Sequence, residues 1–212
     1  MAKQIEGVLE EVVECAKKEF LEKGYTAASL RTIAAAAHTS TGSIYTRFGD
    51  KEGLFRAIVK PVADEMMQIF TKMQEDFHNI DAKDQLEEMD SYSMDGIMKM
   101  IDYMYAHFDE FKLLLDASHG TLYQNFVDDL VDIEVRYTYI YIQTVGIRIT
   151  RDEKMTEGFI HMVVTAYVNG VFEVIRHGMD IDTAKEYINM LFAYNQAGFN
   201  TLLSGGESGK EA

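Results

Sequence analysis

Residues 20–55 read FLEKGYTAASLRTIAAAAHTSTGSIYTRFGDKEGLF. Two short apolar-periodic runs stand either side of the polar break HTST, and a serine opens each. Leu30, Ile33, Ala34 and Ala37 share one face of a helix with Ser29 as its N-cap. Ile44 and Phe48, four residues apart, mark the inward face of the next helix, expected over about 41–48 with Ser40 as N-cap. Upstream, Ile5, Leu9, Val12, Ala16 and Phe20 recur at steps of three and four, which predicts a first helix stopping at Gly24. Downstream, Asp50 is placed to cap a fourth helix running to about Phe77, which Pro61 should kink.

With Ile44 and Phe48 turned inward, Thr41, Gly42 and Tyr45 fall on the opposite side, flanked by Ser43, Thr46 and Arg47. Hydroxyls and backbone N–H groups at a helix start suit phosphate. Arg47 can reach a phosphate or a guanine edge, Thr41 and Tyr45 can meet a base, and Gly42 lets the backbone come close. Arg31 and Lys51 each stand in the first turn of a helix, where a cation opposes the helix dipole, so both point to an external anion. The charge distribution agrees. The chain carries −15 overall, yet residues 24–60 hold five Lys/Arg against two Asp/Glu, and residues 61–212 hold eleven against twenty-seven. A polyanion would be drawn to one segment and repelled by the remainder.

The 20–55 stretch resembles the N-terminal signature of the TetR family of bacterial repressors. The matching features are Phe20 with the Lys23-Gly24-Tyr25 helix end, Ser29-Leu30-Arg31 with Ile33-Ala34, Ser40 through Phe48, and Lys51-Glu52 with Leu54. The resemblance implies a helix-turn-helix over 29–37 and 41–48, with DNA contacts at Ser29, Arg31, Thr41, Gly42, Ser43, Tyr45, Thr46, Arg47 and Lys51. Two departures stand out. His38-Thr39 occupies the turn where glycine and valine are usual, and Thr41 stands where a lysine or arginine is common, which removes one phosphate contact.

The remainder reads as helix: about 94–107, 109–117, 121–149, 153–177 and 181–204, with the acidic segment 79–95 as a connection and the tail from 205 as a flexible end. The fold class expected is all-α: a three-helix DNA-binding head (1–50) joined to a helical effector-binding and dimerisation domain (51–204), then a tail (205–212). No unbroken run of 18 apolar residues occurs, and no signal-peptide core opens the chain, so no membrane span is expected. The single Cys15 fits a reducing, cytoplasmic setting.

The resemblance implies a small-molecule effector and a homodimer formed by the last two helices. Residues 92–141 concentrate methionines and aromatics, among them Tyr92, Met100, Tyr137 and Tyr141, with Met98, Tyr103, Met104, His107, Phe108, His119 and Tyr123 as the candidate ligand contacts. For the dimer, Phe159, Val163, Ala166, Gly170 and Val174 share a face of one helix, and Ile188, Leu191, Asn195 and Phe199 a face of the next. The partners expected are palindromic operator DNA, an effector and a second copy. No cofactor or metal site is expected: HExxH, GxSxG and phosphate-loop motifs are absent, and one cysteine cannot build a zinc cluster. The competing reading is a DNA-binding architectural protein indifferent to small molecules.

Overall fold

A computed structural model describes residues 2–146, 149 and 153–205 of the chain. The tail at 206–212 and most of the joint around 147–152 lie outside the described residues, and nothing is said of the side chain of Ile5. Nine α-helices are described: α1 (Ala2–Ala27), α2 (Leu30–Ala36), α3 (Thr41–Phe48), α4 (Lys51–His78), α5 (Ala82–Ala106), α6 (Phe108–Lys112), α7 (Phe126–Thr144), α8 (Glu153–Arg176) and α9 (Ile181–Gly205). A π-helical turn, Leu113–Ala117, extends α6. No strand occurs among the described residues.

The chain packs as two units, residues 1–65 with 106–126 and residues 66–105 with 127–212. The first unit is centred on Phe20, Phe55, Ile33, Ile44 and Leu54, each at most 1 % exposed. Phe55 meets Phe20 edge-on at 5.1 Å between centroids and Tyr25 at 5.4 Å, which locks the end of α1 onto the start of α4. At Gly24 the backbone takes φ 70°, ψ 166°, breaking α1 where the sequence places its end. Only glycine tolerates that region without strain. Lys17 on α1 reaches Glu110 on α6 at 2.5 Å. Burial opposes ionisation of Glu110, but the Lys17 ammonium wins and holds the carboxyl below its usual range.

The second unit contains the later part of α4, most of α5, and α7–α9. Two elements differ from expectation, and a third runs on through a proline. Helix α5 begins at Ala82, so the acidic stretch 82–93 is helical rather than a connection; its Ala, Glu, Leu and Met residues favour helix, and Gln85 is buried with its amide donating to the Ile80 carbonyl at 2.8 Å. Helix α7 begins at Phe126, not 121, because Thr121 ties the preceding segment into turns through the Ser118 carbonyl. Helix α4 continues through Pro61, an exposed residue, as one 28-residue helix. Unbroken apolar runs also understate α8: averaged over 18 residues, Thr156–Arg176 reaches a mean hydropathy of 1.5, long and apolar enough by composition to cross a membrane, with a third of it buried.

Candidate nucleic-acid interface and ligand cavity

The interface is built from two capped helices. Ser29 accepts from the Thr32 amide at 3.5 Å, and its own amide donates to the Glu19 carboxylate at 3.0 Å. Ser40 accepts from the Ser43 amide at 3.1 Å, opening α3. Between them His38 takes φ +49°, the one non-glycine residue at positive φ among those described. The turn therefore needs the left-handed conformation that glycine gives most easily, and histidine is one of the few other residues that adopt it. Ile44 is buried and Phe48 half-buried, which turns Gly42, Ser43, Tyr45, Thr46 and Arg47 outward together. Tyr45 is 53 % exposed, a large aromatic left in water. A Cβ at Gly42 would meet only the Ser40 hydroxyl, at 3.7 Å, so the packing of the chain itself does not demand glycine there.

Arg31 is exposed on α2, while Ser29 and Thr41 are half-buried. The Thr46 hydroxyl donates to the Gly42 carbonyl at 2.8 Å and keeps only acceptor capacity for a partner. Lys51 also has partners within the chain. Its ammonium donates to the Thr26 and Ala28 carbonyls at 3.0 and 3.1 Å and lies 4.7 Å from the centre of the Tyr25 ring. Two of its three donors thus close the end of α1, and one remains for an anion.

The cavity lies wholly in the second unit and measures about 160 Å3. Stripes at three- and four-residue spacing line it: Phe70, Met73 and Phe77 from α4, Met89 and Tyr92 from α5, Leu130, Glu134 and Tyr141 from α7, and further stripes from α8 and α9. Phe77 stands 5.2 Å from Tyr92 and 6.1 Å from Tyr141, and Tyr141 stands 6.4 Å from Phe199, forming one aromatic wall. Glu134 is the exception among these residues. Gln74 donates to its carboxylate at 2.6 Å, Thr138 also bonds it, and burial pushes its pKa up to about 7 against both. Burial, then the nearby Glu134 charge, push the Tyr167 hydroxyl pKa upward.

None of the seven expected ligand contacts lines this cavity. Met104 is fully buried in the core, Met98 and Tyr103 are half-buried on α5, and His107, Phe108, His119 and Tyr123 belong to the other unit. Tyr92, Met100, Tyr137 and Tyr141, from the same aromatic-rich stretch, do line it. Glu134, Tyr167 and the α4 stripe line the cavity without being among the expected ligand contacts; a lone acid within an otherwise apolar helical stripe, at Leu130-x3-Glu134, is the sequence signal that points to them.

The expected dimer face divides too. Val174 and Ile188 are buried in the unit's own core, Phe159, Val163, Asn195 and Phe199 line the cavity, and Leu191 packs where a Cβ on Gly170 would lie 3.1 Å away. Ala166 alone is exposed. Helical periodicity found the apolar stripe that faces inward. The outward face carries Met162, Tyr187, Met190 and Tyr194, between 52 and 81 % exposed.

A capped helix pair presenting hydroxyls, an aromatic ring and an arginine from a positive segment defines a helix-turn-helix DNA-binding protein. Comparisons with known proteins agree. Residues 12–58 match the bacterial regulatory proteins of the tetR family. The transcriptional repressor AcnR of Corynebacterium glutamicum is 36% identical over 63 residues, 30% of this chain and 34% of that protein. AcnR of Corynebacterium efficiens is 26% identical over 182 residues, 78% of this chain and 87% of that one. Among solved structures, NalD of Pseudomonas aeruginosa superposes with a TM-score of 0.55 at 17% identity, over 90% of this chain and 96% of its own. SmeT of Stenotrophomonas maltophilia reaches 0.57 at 21%, over 88% and 89%. The match to the tetR family thus covers the N-terminal segment that holds the helix-turn-helix, and over most of its length the chain is similar to a transcriptional repressor.

Proposed function

We propose that the protein is a homodimeric repressor that leaves its operator when a small molecule occupies the cavity of the second unit. The head, residues 1–50, holds DNA through Arg31, Tyr45, Arg47 and the start of α3; residues 51–204 bind the effector and the second copy. The observation that carries this is the outward face of α3: a ring 53 % exposed beside Arg47, around a glycine that internal packing does not require. Support for repression comes from the relatives, which are named as repressors, NalD of a multidrug efflux pump. Support for an effector comes from SmeT, solved as a complex with triclosan, and from the cavity itself.

The outward faces of α8 and α9, with Met162, Tyr187, Met190 and Tyr194, are the dimer surface in this reading, since large apolar side chains left exposed mark an interaction face. Two heads held about 34–36 Å apart then read successive major grooves of an inverted repeat. Helix α4 is the connecting element: its first turn carries Lys51, bonded to the end of α1, and its last turns carry Phe70, Met73 and Phe77 of the cavity wall. A ligand that prefers one setting of α4 shifts the heads by its differential affinity for the two states.

Selection of binding sites from random duplex DNA tests the reading. The expected product is an inverted repeat, bound by a dimer and lost when Met190→Asp yields a folded monomer. Selection of no defined sequence, or undiminished binding by that monomer, contradicts it.

A further inference from the structure

The chemistry of the cavity wall narrows the ligand, on the reading that the cavity is the effector site. Five helices present a mainly aromatic and aliphatic surface, and the only carboxylate among the described lining residues is Glu134; neither lysine nor arginine lines it, and the ring nitrogens of His78, which does, are taken by the Gln74 and Tyr137 carbonyls. The partners of Glu134, Gln74 and Thr138, are neutral. An acid in that setting costs stability unless something compensates its charge. Tyr167 also lines the cavity and senses the Glu134 charge, so an aromatic ring accompanies the carboxylate, while the ring of Tyr137 already carries Arg136 at 4.9 Å. Carboxylate and ring faces together favour a cation and disfavour an anion. Seven residues farther along α7, about 10.5 Å of helix rise, Tyr141 joins the wall of Phe77 and Phe199. A cavity of about 150 Å3 admits a benzene-sized ring, and this one is about 160 Å3. Met73, Met89 and Met100 give it walls that adjust to shape.

We propose that the ligand is a small organic cation, an amine carrying one aromatic ring, with its ammonium group on Glu134 and its ring against Phe77, Tyr141 and Phe199. The carboxylate supplies a charge-assisted acceptor, and the amine supplies the counter-charge that Gln74 and Thr138 cannot.

Calorimetric titration of the full-length protein at about pH 8, where Glu134 is largely ionised, compares 4-phenylbutylamine, 4-phenylbutanol and 4-phenylbutyrate. The expected order is amine, alcohol, then acid, with the amine at least about tenfold tighter than the alcohol. Glu134→Gln removes that preference and keeps alcohol affinity within about threefold; Glu134→Leu gives the same loss should the amide disturb folding. Equal affinity for all three, no binding of the amine, or an amine preference that survives both variants overturns the proposal. Operator binding measured beside it separates the two readings. Release of DNA by the alcohol or the acid, with no Glu134-dependent amine binding, sustains the effector reading and overturns the cationic class. Glu134-dependent amine binding with unchanged operator affinity sustains the class and overturns the effector reading.

Discussion

The helix-turn-helix head and the body with its cavity are both helical, but they use their outward and inward faces in opposite ways. In the head, the chemistry lies outside: Ile44 and Phe55 are buried to hold Tyr45 and Arg47 in solvent. In the body, Glu134 and Tyr167 line a cavity, and α8 and α9 leave four large apolar side chains, Met162, Tyr187, Met190 and Tyr194, exposed. A surface site needs a rigid scaffold beneath it. A buried site must leave packing incomplete, and here it holds an acid whose ionisation works against folding.

The largest expected difference between the regions is in their response to pH. Between about pH 4.5 and pH 7 the folded protein keeps a proton on Glu134 that the unfolded chain has released. Rising pH therefore favours unfolding: stability present in full below 4.5 is lost through about 7, amounting to roughly 3 kcal/mol. Denaturant melts across this range should show that decline, and Glu134→Gln should remove it. A wild-type stability that stays level would show the cavity acid to be ordinarily solvated. In the head the backbone carries the strain instead. Gly24→Ala should cost about 2 kcal/mol, because no neighbour lies within 4 Å of a Cβ there and the whole penalty comes from φ 70°, ψ 166°. A loss below about 0.5 kcal/mol in the same melts would show that the helix end can relax. Smaller, and of opposite sign, His38→Gly should stabilise the head by about 0.5–1 kcal/mol by relieving its left-handed turn, provided the relief exceeds the flexibility added to the unfolded chain. A destabilised variant would mean that the imidazole makes a contact worth more than the strain.

The same contrast explains what could be read from sequence. The head is written in local terms. Caps at Ser29 and Ser40, a stop at Gly24 and the Ile44/Phe48 spacing each act within a few residues, so they fix both helices and the exposed face. The internal bonds of Lys51 are the part not legible there, since they reach Thr26 and Ala28, more than twenty residues away. In the body, periodicity identified apolar stripes correctly but could not say whether a stripe faces core, cavity or partner. Val174 and Phe159 fall in one stripe, and one is core while the other lines the cavity. The acidic 82–93 segment was misread because surface charge resembles a connection, although its residues are good helix formers.

The division of labour between the two regions is tested most directly by fluorescence anisotropy of the selected operator, without added ligand, for the wild type, Tyr45→Ala, Arg47→Ala and Glu134→Gln. Each head variant should bind at least about tenfold more weakly, a loss of about 1–3 kcal/mol, while Glu134→Gln should stay within about threefold of wild type. Head variants that keep full affinity, or a cavity variant that loses as much as they do, would contradict the account.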